Sequence, residues 1–227
     1  MAYILNIETS TDICSVAISN DKELVALQEI KEPYQHASKI TLITQECLKR
    51  SNIKMAQLDA VAVSSGPGSY TALRVGTSIA KGICYALNKP LIAVDTLHSI
   101  ALASKQSDDS SILYCSMIDA RRMEVYGGIW DHEMNLLLPI QAMTLDEKSF
   151  ETFRAEGKEI VFSGNGAQKY IDAFAPERSK LSPILSSAKH LIPIAANKYL
   201  EKEFVSLIQY KPFYLKPPNI NRPKKIL

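Results

Sequence analysis

The chain lacks most of the signatures that announce a catalytic or cofactor centre. It has no His-Glu-x-x-His stretch, so a zinc protease of that type has no support. No Gly-x-Ser-x-Gly elbow offers a hydrolase serine. His36, His98, His132 and His190 are scattered, and none pairs with another at ligand spacing, which predicts no metal site. The four cysteines, Cys14, Cys47, Cys84 and Cys115, lie more than thirty residues apart and form no Cys-x-x-Cys pair. Each sits in an apolar periodic segment, a pattern expected of buried, reduced thiols in a cytosolic protein. No apolar run reaches the eighteen or so residues of a membrane span. The first apolar run has no basic residue before it and carries Glu8, which argues against a secretory signal. A net charge of +2 excludes any strong general attraction to nucleic acid or membrane.

What is present is ordinary in bulk and specific in one place. The 227 residues, 46% hydrophobic and 22% charged, suit one large domain or two small lobes. The specific place is Ser64-Ser65-Gly66-Pro67-Gly68-Ser69. It joins a β-branched, strand-like run (58–63) to a helix-like run in which Leu73, Gly76, Ile79, Ala80, Ile83, Cys84 and Leu87 recur at three- and four-residue steps. Such a turn can aim backbone N–H groups and a positive helix end at one point, an anion site. It is not a P-loop, for no Gly-Lys-Ser/Thr follows, and Thr71 stands where the dinucleotide fingerprint needs a third glycine. Spacing alone leaves open a tight turn with no ligand. Arg74, in the first turn of the helix, opposes the dipole and should meet a carboxylate, a phosphate or a partner chain.

In chain order, strands are expected at 3–7, 13–18 and 23–30 with short connections, an antiparallel meander. The polar turn Glu8-Thr9-Ser10-Thr11-Asp12 between the first two is either hairpin chemistry or a second loop whose hydroxyls touch a phosphate. A helix over 36–50 carries Ala37, Ile40, Ile43 and Cys47 on one face. After the glycine turn and its helix, Asn88-Lys89-Pro90 is a stop, 91–94 a buried strand, and Asp95-Thr96 the cap of a further helix. The polar stretch 105–111 marks the lobe boundary. Beyond it, strands are expected at 112–118 and 124–130, a helix over 145–154 and a strand at 159–162. Ser163-Gly164-Asn165-Gly166 then turns into a helix ending near 174, and a last helix covers 186–203. The predicted domains are an N-terminal lobe (1–104), a smaller α/β lobe (112–210) and a basic, proline-rich, partly disordered tail (211–227). That tail could help hold RNA or an acidic partner surface, or be merely solvated. Asp119-Ala120-Arg121-Arg122, between two strands, reads as an ion-paired turn or as a display of guanidinium groups, with the structural role favoured.

The runs Ile4-Leu5-Asn6-Ile7-Glu8-Thr9-Ser10-Thr11, Ser65 to Gly76, Asp119-Ala120-Arg121-Arg122-Met123-Glu124-Val125-Tyr126 and Tyr214-Leu215-Lys216 together resemble the TsaB (YeaZ) family of tRNA threonylcarbamoyladenosine biosynthesis. The resemblance spans nearly the whole chain in the right order. It implies a two-lobed α/β fold of the actin-like, Hsp70-like ATPase superfamily (ribonuclease-H-like), with a mixed sheet and flanking helices in each lobe. It also implies a non-catalytic subunit that partners a TsaD-type transferase and a TsaE-type ATPase in threonylcarbamoylation of the tRNA adenosine beside the anticodon. Such a subunit would be cytoplasmic and a homodimer when alone. It would meet tRNA through the complex, have no membrane association, and need no cofactor beyond a nucleotide at the partner interface. The catalytic relative carries Asn-His-Leu-Glu-Gly-His, both histidines on its metal. Here the matching stretch is Asp95-Thr96-Leu97-His98-Ser99-Ile100, and neither Thr96 nor Ile100 replaces an imidazole. Departures from the family pattern are Glu8 for Asp, Ala72 for Gly, Tyr70 for Phe and Lys216 for Arg.

The first two helices look like the family's dimerisation surface, so the small-residue stripe Ala72, Gly76, Ala80 and Cys84, with Ile40, Ile43 and Cys47, is the expected partner interface. Packing against the chain's own sheet is the alternative use of that stripe. Thr9, Ser10, Gly66, Gly68 and Ser69 are the expected nucleotide or anion contacts. The rival reading is an enzyme acting alone, a sugar-kinase-like phosphotransferase or glycoprotease-like hydrolase, for which Glu8 is the one nameable base.

Overall fold

A computed structural model describes residues 1–217 of the chain. The first five strands are β1 (Tyr3–Glu8), β2 (Cys14–Asn20), β3 (Glu23–Ile30), β4 (Ala60–Ser64) and β5 (Leu91–Val94). They form one mixed sheet of order β3-β2-β1-β4-β5. Helices α1 (His36–Ser51) and α2 (Tyr70–Leu87) cover one face of it. β1 shows why its run is apolar on both sides. Leu5 and Ile7 join the core beneath α1 and α2, and Ile4 points the other way. There it meets Leu191 and Ala195 of a late helix, numbered α6 below (Ala188–Leu200). A strand covered on both faces has no solvent side to alternate towards.

The second sheet has the same plan. After α3 (Thr96–Ser104) come β6 (Ile112–Asp119), β7 (Glu124–Trp130), β8 (Leu136–Thr144), α4 (Glu151–Ala155), β9 (Glu159–Ser163), α5 (Ala167–Phe174) and β10 (Ser179–Leu181), before α6. Its strand order, β10-β9-β6-β7-β8, repeats the first sheet's order read from the opposite end. Leu113, Cys115 and Met117 of β6 pack with Tyr170 of α5, while Tyr114 and Ile118 pack with Leu97, Ile100 and Ala101 of α3. The layers therefore run helices, sheet, α6 and α3, sheet, helices. The duplication is invisible in residue identity because each position needs only an apolar residue of fitting volume.

Several expectations are redrawn. The lobe division is one of them: α6 and the segment after it belong to the first sheet, and Val205 bridges to Leu91 of β5. α3, placed with the N-terminal lobe by its position in the chain, packs on the second sheet. The helix expected over 145–154 shortens to α4, because Asp146 and Ser149 bond to each other and Phe150 adopts a left-handed φ of 65°. β8 was not expected. Pro139 sits inside it, which an edge strand tolerates. Residues 211–217 of the tail form no helix or strand, yet they are packed, as described below; 218–227 lie outside the described residues. Among the described residues no helix is long and apolar enough to cross a membrane. All four cysteines are free and buried.

Candidate functional site

The glycine turn runs from the end of β4 to the start of α2. Gly66 has φ of 100°, which L side chains rarely adopt, so this position needs glycine. The amides expected to face an anion are mostly engaged. Ser65 N–H donates to Val94 O (2.8 Å), Gly66 N–H to Thr96 Oγ1 (3.1 Å) and Ser69 N–H to Ser10 O (2.7 Å). The β1–β2 turn lies so close that a Cβ on Gly68 would come within 2.8 Å of Ser10 Cβ. Thr9, Ser10, Gly66, Gly68 and Ser69 are thus brought together, but in contact with one another. Thr9 and Ser10 have no exposed surface, and of the five only Ser69 is exposed. Thr9 and Ser10 thus pack into the turn but engage only one of its three bonded amides, through the Ser10 carbonyl on Ser69 N–H; Val94 and Thr96 take the other two.

Glu8 lies beneath this contact and is fully buried. Its Oε1 accepts Ser10 N–H (2.5 Å), while Oε2 has no partner. Burial pushes its pKa above the usual carboxylate range, with bonds from Ser10 and Ser64 pulling the other way. A carboxyl whose folded pKa lies above its unfolded value stabilises the fold below that unfolded value, 4.5. This contribution is lost as pH rises through the folded pKa. Asp95, pushed by burial from 3.8 to about 6, acts in the same direction. Glu8→Gln should therefore flatten part of the decline in stability above pH 4.5, read by urea denaturation across that range. A variant whose stability follows the wild-type pH curve throughout would show that Glu8 is ionised in the folded chain.

The positions matching the catalytic relative's metal histidines have structural work. Thr96 Oγ1 accepts the Gly66 amide, and Ile100 lies in the α3 core. Asp95 caps α3 as expected, its Oδ1 accepting His98 N–H at 2.8 Å. His98 stacks on Trp130, and burial lowers its pKa. Among the described residues no group of three or more His, Cys, Asp or Glu is placed to hold a metal ion.

The expected interface stripe is corrected. Ala72, Gly76, Ala80 and Cys84 face the chain's own sheet, and Ile40, Ile43 and Cys47 of α1 are buried with them. A Cβ on Gly76 would collide with Thr9 Oγ1 and come within 3.1 Å of Thr9 Cγ2. The small residues bring α2 down onto the first sheet, chiefly β4, and onto the β1–β2 turn; they do not bring a partner onto α2. The outward face is offset around the helix and consists of Thr71, Arg74, Ser78, Gly82 and Tyr85. A Cβ on Gly82 would meet nothing within 4 Å. Between α1 and α2 this face opens into a groove of about 380 Å³, with Ala37, Tyr70, Arg74, Ser78 and Ile79 in its lining and Ile40, of the expected interface residues, at its floor. Leu42 on α1 and Tyr85 on α2 are large apolar side chains left 54% and 85% exposed. Arg74 finds no carboxylate among the described residues; its guanidinium lies over the Tyr70 ring, 5.5 Å from the centroid.

The chain's end forms a strap that sequence reasoning missed. Lys81 Nζ donates to Tyr210 O (2.8 Å), and Phe213 N–H donates to Ser65 O (2.7 Å) at the glycine turn. Tyr214 packs on Tyr70 with centroids 4.7 Å apart, and Lys216 pairs with Glu124 of the second sheet (2.6 Å). The strap crosses from one sheet to the other over the entrance to α2. Its only sequence signal was that Tyr214-Leu215-Lys216 belongs to the family pattern.

At the β6–β7 hairpin, Asp119 pairs with Lys169 rather than with either arginine, so the ion-paired reading of Asp119-Ala120-Arg121-Arg122 is corrected. Lys169 Nζ also donates to the carbonyls of Arg122 (2.8 Å) and Glu124 (2.5 Å). Arg121 and Arg122 both have positive φ, 72° and 50°, a conformation that costs about 1–3 kcal/mol for a residue with a Cβ.

Two sheets of identical strand order, packed across α3 and α6 with a glycine turn at their junction, give a two-lobed α/β fold of the actin-like type. Component A of (R)-2-hydroxyglutaryl-CoA dehydratase from Acidaminococcus fermentans shares this fold. Its TM-score is 0.53 at 13% identity, covering 89% of this chain and all of that one. YeaZ from Pseudomonas aeruginosa superposes with a TM-score of 0.78 at 24% identity, covering 95% of this chain and all of the other. The family profile TsaD, tRNA N6-adenosine threonylcarbamoyltransferase, matches residues 32–221. The tRNA threonylcarbamoyladenosine biosynthesis protein TsaB of Escherichia coli is 30% identical over 224 residues, 94% of each chain. The chain belongs to the TsaB family.

Proposed function

We propose that this chain is the non-catalytic partner of a TsaD-type transferase in making threonylcarbamoyladenosine beside the anticodon of tRNA. The observation that carries the reading is the fate of the inherited site. Thr96 and Ile100 occupy the metal-histidine positions and are committed to the turn and the core. The phosphate-type loops are packed on each other, and Glu8 is sealed beneath them. The outward face of α1 and α2 supports a partner-binding role, because its groove and exposed leucine and tyrosine offer apolar area to cover. On this reading the TsaD-type subunit docks there, and a second copy of the chain takes its place when the subunit is absent. A TsaE-type ATPase joins the assembly, and tRNA is met through the complex. The chain itself requires no cofactor, any nucleotide lying at the subunit interface. Work on tRNA and four free cysteines suit the cytoplasm.

Reconstitution tests this directly. Transfer of the threonylcarbamoyl group to tRNA by purified TsaD-type and TsaE-type subunits should require this chain, measured as modified adenosine per tRNA. Undiminished transfer without it, or ATP turnover by the chain alone that Glu8→Gln abolishes, would overturn the reading.

A further inference from the structure

We propose that the β6–β7 hairpin tip, Arg121 and Arg122, is a contact site for the phosphodiester backbone of RNA. The inference rests on the function proposed above and adds a direct RNA contact to it. Both carboxylates of the hairpin itself are already neutralised: Asp119 by Lys169, and Glu124 by Lys216. Arg121 and Arg122 are exposed, and neither forms an ion pair among the described residues. The hairpin holds both in left-handed backbone, where glycine or asparagine would be at ease. It does so with three anchors: Asp119 Oδ1 on Arg121 N–H (3.0 Å), Asn165 Oδ1 on Asp119 N–H (3.0 Å), and the Lys169 bonds. The tip is thus a rigid mount for two free guanidinium groups, whose planar forks fit phosphate oxygens.

RNA is favoured over a single anion because the function proposed above already brings a tRNA to the assembly, and its backbone offers successive phosphates to two adjacent guanidinium groups. The net charge of +2 makes this a local site rather than a general attraction.

The test is tRNA binding by the assembled complex, measured by filter retention over a series of salt concentrations. Replacing both arginines with alanine should weaken binding about tenfold near 0.1 M salt and flatten the slope of log K against log salt by about 1.5. Arg121→Lys with Arg122→Lys should restore most of the slope. Arg121→Gly with Arg122→Gly separates binding from folding, since glycine suits the left-handed backbone. Its Tm should hold or rise while RNA affinity falls as in the alanine pair. Unchanged tRNA affinity and salt slope in these variants would overturn the site. So would weakened subunit assembly with tRNA affinity of the assembled complex intact, which assigns the arginines to an acidic protein surface. A chain dispensable for transfer would instead remove the function on which the site rests.

Discussion

Gly76→Ala should destabilise the fold by about 1–3 kcal/mol, the usual cost of forcing a methyl into a packed core, and Gly76→Leu should prevent folding altogether. The added Cβ meets Thr9 Oγ1, with Thr9 Cγ2 at 3.1 Å and Thr9 Cβ at 3.3 Å. None of these atoms can swing away. Thr9 is β-branched, fully buried and pinned between β1 and the glycine turn, its N–H donating to Ser64 Oγ at 3.2 Å. Thr9 Oγ1 has no hydrogen-bond partner, so Thr9→Ala removes an unsatisfied buried oxygen together with the colliding atoms. The double variant should therefore be more stable than the sum of the single effects by about 1 kcal/mol or more. Urea denaturation of the four proteins in the cycle measures this. Additive effects would mean that α2 shifts as a body when Gly76 grows, and that the Thr9 contact does not set its height above the sheet.

Ser78→Arg should leave the isolated chain as stable as wild type and weaken its association with the TsaD-type subunit about 100-fold or more. Ser78 is exposed in mid-helix and lines the groove between α1 and α2. Arginine is a good helix former, so nothing in the free chain opposes it. A covered groove, by contrast, would have to accommodate a long side chain and an unpaired charge, which together cost several kcal/mol. Gly82→Ala is the control on the same face. No atom lies within 4 Å of its added Cβ, so it should stabilise α2 by about 0.5–1 kcal/mol with association little changed. Titration calorimetry with the partner, alongside thermal melts, reads both quantities. Tight binding by a folded Ser78→Arg variant would place the partner elsewhere on the molecule.

The secondary structure was legible wherever periodicity and turn chemistry agreed. The expected 23–30 strand and the expected 91–94 strand coincide with β3 and β5, and Asp95 caps α3 as its type and position require. Legibility ended where a local rule met a tertiary one. Pro139 concealed β8, because a proline is acceptable in a strand only if the strand lies at an edge, and edges are decided by pairing. Asp146 and Ser149 replaced two helical turns with a side-chain-bonded loop. The return of α6 to the first sheet was hidden for a different reason. Its apolar residues specify burial without specifying against which sheet.

By itself the sequence determined the family, the α/β class and the presence of a glycine turn between a strand and a helix. It also placed Thr96 and Ile100 at the positions that the family resemblance sets against two histidines. These are matters of residue type at a position, and residue type is what a sequence records. Only the tertiary structure decided what the turn and its helix pack against. Ala72, Gly76, Ala80 and Cys84 form a stripe that a partner helix or the chain's own sheet could cover equally well, since both ask for small residues at four-residue spacing. The chain's own sheet and the β1–β2 turn cover it: Ala80 and Cys84 are buried with Val61 and Val63 of β4, and Thr9 presses against Gly76. With that face taken, Thr71, Arg74, Ser78, Gly82 and Tyr85 are what α2 presents outward.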